Sequence, residues 1–407
     1  MIFSKSITKL KIISLILIFS FSLVPPLIKE LFDVSSYTQG LIIAILISIV
    51  INRINVNINK NSLFVKIIMN LVVINLFYLI VLVTKKFIYG QGVDFFKFYL
   101  FFPLVFGLLF CSKNLAKIFI ILKNEHLRNV INIFLFILIL GGLAAIFGYS
   151  AYGPFNMRKP TFVYSEVSHY ALGIGPFLCY GLFANKGYLV KFFFITSILL
   201  VGFFVQSTAL LVTIFFAIYP LINSRWMKYF FILISIIFVV YFGGDYFINR
   251  LSVLPSSSNE TNWVYLQGIE EAFLSLRNTY GIGLGPQQMG FEDPSGEYSQ
   301  LVYSIQGNYI NRYDGSIGFS KIISEFGVLG ILICFIYLML FLKSYNYLAT
   351  LNEKKIQTSQ YVILSHSFIY MFFVYMFVRG GGYFGPNYFY LFVGIFCIYY
   401  YRVLPSS

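Results

Sequence analysis

The sequence predicts an all-α integral membrane protein of about twelve transmembrane helices, with one large external loop that contains an amphipathic helix. Three observations predict it. The 407 residues are 59% hydrophobic and 11% charged, whereas a soluble domain carries about a quarter charged residues. Apolar runs of roughly 18 residues, enough to span a bilayer, recur along the chain. One polar interval, Asp245 to Ser316, holds 72 residues with three arginines, eight carboxylates and eight glycines, while every other connection is short.

The first span is expected at 11–28. Its basic flank resembles that of a signal peptide, but no small-residue cleavage site follows, so it is expected to stay as a span that ends at Pro25-Pro26. Further spans are expected at 38–52, 63–84, 97–111, 129–148, 168–184, 189–205, 207–222, 228–244, 317–342, 360–379 and 386–403, with residues 1–407 forming a single domain. The turn Gln206-Ser207-Thr208 separates the seventh from the eighth.

Charge tests this order. With the N-terminus inside, the inner connections hold 18 of the 29 basic residues and two acidic ones, Glu125 and Glu353. The outer side keeps 11 basic and 13 acidic residues. The positive-inside rule then puts both termini in the cytoplasm and the 245–316 loop outside. The net charge of +14 is scattered over short connections and forms no long basic face, which excludes nucleic acid as a partner. Aromatics make up 20%, part of them expected at the membrane interfaces. Basic and apolar residues mix at near-helical spacing over Lys113–Arg128, which suits either a helix on the anionic inner leaflet or a solvated connection. Cys111, Cys179, Cys334 and Cys397 fall in or beside apolar runs, so neither a disulfide nor a metal site is expected.

Inside the large loop, Trp263, Leu266, Ile269, Phe273 and Leu276 recur at three- and four-residue steps, with Thr261 or Asn262 as cap and Gly281 after the end. This predicts an amphipathic helix along the membrane surface or against the bundle. Gly281-Ile282-Gly283-Leu284-Gly285-Pro286 follows. Such a stretch either cradles phosphate with bare N–H groups or turns the chain back to the bundle; the second is favoured, and nucleotide triphosphates are not available to an external loop.

Between the fifth and sixth spans, Arg158 and Lys159 precede Glu166 and His169 at the mouth of a helix. Arginine binds phosphate through a planar fork, and a carboxylate or imidazole can take a proton from a hydroxyl. The same cations could equally anchor to lipid headgroups. Arg250, Arg277, Arg312 and Arg379 are also external, the last followed by three glycines that let backbone approach a ligand. Asp314, Lys321 and Glu325 surround the start of the tenth span, where ionisable groups face a partner or a cavity. Of the three histidines, His126 is on the inner side and His366 lies within a span, leaving His169 for external chemistry.

The series Arg158, Phe162, Glu166-Val167-Ser168 resembles the Arg-x-x-x-Phe-x-Glu-Pro-Ser stretch of the O-antigen polymerase (Wzy) and O-antigen ligase group, with valine in place of proline. Asn249-Arg250, Trp263 to Ala272 and Gly281 to Gly285 resemble that group's outer loop. Gly307-Asn308-Tyr309 through Glu325-Phe326-Gly327 to Gly330 resembles its re-entry segment. The resemblance covers about residues 150–345 and the span layout. It implies a GT-C-like glycosyltransferase of a bacterial inner membrane, with a periplasmic loop and a role in lipopolysaccharide or related polysaccharide synthesis. Such an enzyme moves a growing chain from undecaprenyl pyrophosphate to a sugar hydroxyl of the next lipid-linked oligosaccharide, with no cofactor or metal and with a chain-length regulator as partner. Arg158 is the first choice for stabilising the leaving pyrophosphate, as the resemblance also implies, with Arg312 or Arg250 assisting. Glu166 and His169 complete the candidate catalytic set as groups that could activate the acceptor, and Lys159, Arg250, Arg277, Asn308, Tyr309 and Arg379 form the candidate binding set. Ligases of the group carry a loop histidine that this loop lacks, which favours polymerase over ligase. A repeat-unit flippase is the rival from another class, although charge here gathers in the external loop instead of at the bilayer midplane and the two halves show no repeat.

Overall fold

A computed structural model describes residues 2–34, 36–51, 62–88, 90, 92–154, 160–242, 260–291, 296–354 and 358–403. In chain order the described helices are α1 Ile2–Leu31, α2 Thr38–Ile51, α3 Ser62–Ile88, α4 Phe95–Ile121, α5 Asn124–Ile146, α6 Val167–Ala184, α7 Tyr188–Phe204, α8 Thr208–Ile218, α9 Arg225–Phe242, α10 Glu260–Asn278, α11 Glu297–Gln306, α12 Gly318–Lys354, α13 Gln360–Phe377 and α14 Pro386–Val403. Two-residue strands, Tyr149–Ser150 and Gly153–Pro154, form a small hairpin. Apart from this hairpin the regular structure of the described residues is α-helical, and seven of the described helices are long and apolar enough to cross a membrane. Within the described residues each apolar run expected as a span falls on a helix, but α2, α7 and α8 are shorter than the seven long enough to cross.

Burial ranks these helices. α6 and α13 are enclosed on nearly all sides, whereas α3 buries little and presents Met69, Val73, Leu76 and Ile80 outward. A helix that is apolar all round belongs either in a protein interior or against lipid, and the two kinds are both present here. Around α6 and α13 pack α5, α8, α12 and α14, while α1 pairs with α2 and α4 with α14.

Three local expectations need correction. α1 runs through Pro25 and Pro26 to Leu31 and does not stop there. The fourth helix continues to Ile121, so Lys113 is neither on a leaflet nor in solvent; it is buried, with its ammonium 4.2 Å from the Phe64 ring. The loop helix docks by a different face from the one its apolar stripe suggests. Val264, Gln267, Gly268, Ala272 and Ser275 are buried against α12 and its approach, while Phe273 is 61% exposed. Gly268 decides this: a Cβ there would overlap the carbonyl of Gly315. Close backbone contact won over side-chain hydrophobicity. The break between α7 and α8 stands as expected, made by left-handed Gln206 and by the Ser207 hydroxyl, which caps the N–H of Leu210 at 3.2 Å.

α12 is broken at Gly327, whose φ of 58° and ψ of −132° leave the helical region. The break frees carbonyls that the glycine turn then satisfies. Leu284 N–H donates to Ser324 O and Gly285 N–H to Glu325 O, both at 2.9 Å, and Val328 N–H returns to Gly281 O at 2.8 Å. Gly283 has φ +89°, and a Cβ on it would sit 2.6 Å from Glu325 O; only glycine fits.

Candidate functional site

A short irregular segment delivers the first site residues. Thr161 and Tyr164 exchange backbone hydrogen bonds of 2.9 and 3.0 Å around Phe162, which has φ 58°. The Tyr152 hydroxyl holds this turn by donating to Val163 O at 2.6 Å. Glu166 follows as the residue before α6, and His169 lies in that helix's first turn. From the far end of the chain, Arg379 arrives just after α13 and donates from Nη2 to Glu166 Oε2 at 3.0 Å. Ser168 Oγ donates to the same oxygen at 2.9 Å. The Glu166 side chain is about half exposed. Partial desolvation would raise its pKa, but the His169 imidazole, the Arg379 guanidinium and these hydrogen bonds prevail and hold it below the usual carboxylate range. Glu166 is therefore a fixed anion and a poor base.

His169 is held on its other side by Tyr37, whose hydroxyl lies 2.9 Å from Nδ1. Burial, with Tyr164, Glu166 and Glu30 nearby, pushes the Tyr37 hydroxyl well above its ordinary pKa, so it keeps its proton. When Nδ1–H donates to the Tyr37 oxygen, Nε2 carries a lone pair and can accept a proton. Lys29, in the last turn of α1, lies 5.1 Å from the Tyr37 ring and its charge also acts on His169. A cavity opens beside these groups, lined by Tyr37, Tyr164, His169, Tyr375, Gly381, Gly382, Gly385 and Asn387 among others. It lies between the first turns of α6 and the start of α14, and helix N-termini favour negative charge. The Nε of Arg379 is buried without a hydrogen-bond partner among the described residues.

A second charged group lies behind the 380–382 backbone. Asp314 sits against Gly382 and is 3.7 Å from Lys321 Nζ, which is 3.3 Å from Glu325 Oε1 and donates to Tyr313 O. Glu325 is fully buried and accepts from Gln287 N–H at 2.9 Å and Met289 N–H at 3.4 Å. Its carboxylate thus anchors the chain after the glycine turn. The five N–H groups from Gly281 to Gly285 all donate within the protein, so this turn is a structural return and no phosphate cradle.

The other expected residues divide. Arg158, Lys159 and Arg250 lie outside the described residues. Arg312 does not join Glu166 and His169; it lines a second cavity with Gln267, Glu271 and Asn311, and its guanidinium carbon is 5.4 Å from the Tyr309 ring centroid. Tyr309 stacks on Tyr303 at 4.7 Å. Arg277 and Asn308 are exposed and line neither cavity. Sequence reasoning missed Tyr37, Lys29 and Tyr375. Tyr37 and Lys29 lie among the nine residues between the first two expected spans, which carry no motif, and only the α1–α2 packing brings them to His169. Tyr375 reads as one more aromatic in a span; its hydroxyl donates to the Gly381 and Gly382 carbonyls and shapes the cavity wall.

Compared with protein-family models, curated proteins and solved structures, the chain matches none of them.

Proposed function

We propose that this protein is a membrane glycosyltransferase that polymerises lipid-linked oligosaccharides, transferring a growing chain from undecaprenyl pyrophosphate to a hydroxyl of the next unit. The observation that carries the reading is the His169–Tyr37 pair lining a cavity between two helix N-termini, with the Glu166–Arg379 ion pair and Lys29 close to that pair but outside the lining. Arg379 and Lys29, with Arg158 added from the family resemblance, would bind the pyrophosphate. His169 takes the proton from the acceptor hydroxyl as its oxygen bonds to the anomeric carbon. The bond from that carbon to the phosphate oxygen breaks, and pyrophosphate leaves as an anion. Glu166 keeps the Arg379 fork in place, and Tyr37 orients the imidazole. Arg312 passes from the catalytic to the substrate-binding set. The site faces the periplasm in this reading, and a chain-length regulator is the expected partner.

The test is polymer formation by the purified protein from lipid-linked repeat units, read as a ladder on gels. Arg379→Lys keeps charge but loses the planar fork, so activity should fall about 10²-fold at equal protein level. Near-normal ladders from Arg379→Lys would assign the residue to anchoring. In the host, deletion should abolish the surface ladder while one repeat unit remains; unsubstituted core would instead indicate a ligase or a flippase.

A further inference from the structure

The second cavity has no part in that chemistry. It lies under α10, closed by the turn after Leu284 and by residues 311–316, and is separated from the first by backbone: Gly380 N–H donates to Ser316 O at 2.8 Å. Its polar lining includes Gln267, Glu271, Ser275, Asn278 and Arg312. Gln267 is only 4% exposed, yet its Oε1 accepts no hydrogen bond among the described residues. A buried acceptor left open costs free energy unless a ligand or water donates to it. The cation Arg312 is offset by Glu271, so the lining does not select an anion. Amide, hydroxyl and carboxylate groups that together donate and accept match sugar hydroxyls, which do both. Arg312 joins this lining to an aromatic pair. Tyr303 is 46% exposed and stacks on Tyr309, which carries the Arg312 guanidinium on its face. Such a face suits the apolar C–H side of a pyranose ring.

We infer that the mouth of the α10 cavity and the Tyr303–Tyr309 pair form a glycan subsite away from the transfer cleft, in which a sugar ring lies on the exposed tyrosine and the cavity itself, about 30 Å³, admits a hydroxyl group and not the ring. The ligand class rests on the glycosyltransferase reading; the site itself rests on Gln267 and the stacked tyrosines.

The probe is the free oligosaccharide released by mild acid from lipid-linked glycans of the producing cells. It is added to the full-length protein in detergent, with binding read by saturation-transfer NMR. Wild type should bind, and Gln267→Leu and Tyr303→Ala should each weaken binding roughly 3- to 10-fold, the size of one net hydrogen bond or ring contact. Tyr303 is exposed, so its replacement leaves the fold intact even if Gln267→Leu does not. No saturation transfer at several millimolar glycan, or equal binding by wild type and both variants, overturns the subsite. Polymerisation that continues in that case leaves the transferase reading standing. Glycan binding that depends on Tyr303 in a protein unable to polymerise sinks the transferase reading and keeps the subsite.

Discussion

At the scale of single residues, the site depends on partners that hold its reactive groups. Tyr37 fixes the His169 ring through Nδ1 and touches no reacting atom in the proposed chemistry. Tyr37→Phe should lower kcat about 10- to 100-fold, as loss of an outer partner does at other imidazole sites, with little change in KM. An equal rise in KM would instead show that Tyr37 binds substrate. Glu166 gives a pH prediction. Its pKa is depressed in the fold by His169, Arg379 and Ser168, whereas an unfolded glutamate titrates near ~4.3. The ion pair therefore contributes in full above that range and is lost as pH falls toward the folded value. Wild type should melt higher than Glu166→Gln by a constant margin from pH 8 to pH 5, and the margin should shrink only below about pH 4. A margin that vanishes by pH 5 would show that Glu166 is not held low.

At the scale of elements, α10 shows where sequence patterns misdirect. Its periodicity correctly predicts a helix, and the period marks an apolar stripe, but the docked face is the one bearing Gly268 and Ser275. Ser275 Oγ meets Ser324 Oγ at 2.8 Å and Ser316 Oγ donates to Val264 O at 2.7 Å. Phe273→Asp should thus leave the loop docked, and Gly268→Leu should release it, measured as faster proteolysis within 260–291. Overpacking of this kind costs about 1–3 kcal/mol. Fast cleavage of Phe273→Asp with slow cleavage of Gly268→Leu would reverse the assignment. The helices themselves were legible because each apolar run is long and ends in a turn signal. Glu166, His169 and Arg379 were legible as ionisable residues at helix ends, where charge is placed for a reason. Tyr37, Lys29 and Gln267 were not, since their roles come from contacts between segments far apart in the chain, and Lys113 was misread because a basic residue at a span's edge is usually solvated.

At the scale of the whole molecule, eight residue pairs at or near the span ends, among the described residues, fall into two sets. Tyr37 pairs with His169, Asp94 with Gln288, Glu166 with Arg379, and Ser316 with Gly380. Asn132 pairs with Asn185, Asn124 with Gln360, Asn223 with Asn352, and Lys228 with Tyr345. The first set joins residues in, or within a few positions of, connections that the charge pattern assigns outside, and the second joins residues in or near those assigned inside. Reporters fused after Tyr152, Ser256 and Gly381 should therefore read external, and those after Asn57, Asn185 and Asn352 cytoplasmic. An external signal at Asn185 would break both the charge argument and this pairing.

The seat at Gly327 also sets an order of construction. The loop is synthesised before the helix it rests on, so the N–H groups of Leu284 and Gly285 have no carbonyls to meet until residues 324 and 325 emerge from the ribosome. Arg379 and Asn387 come later still. A nascent chain arrested near residue 316 would carry an undocked loop and half a cleft, open to surveillance proteases, and maturation of the cleft would be the last event in the biogenesis of these described elements.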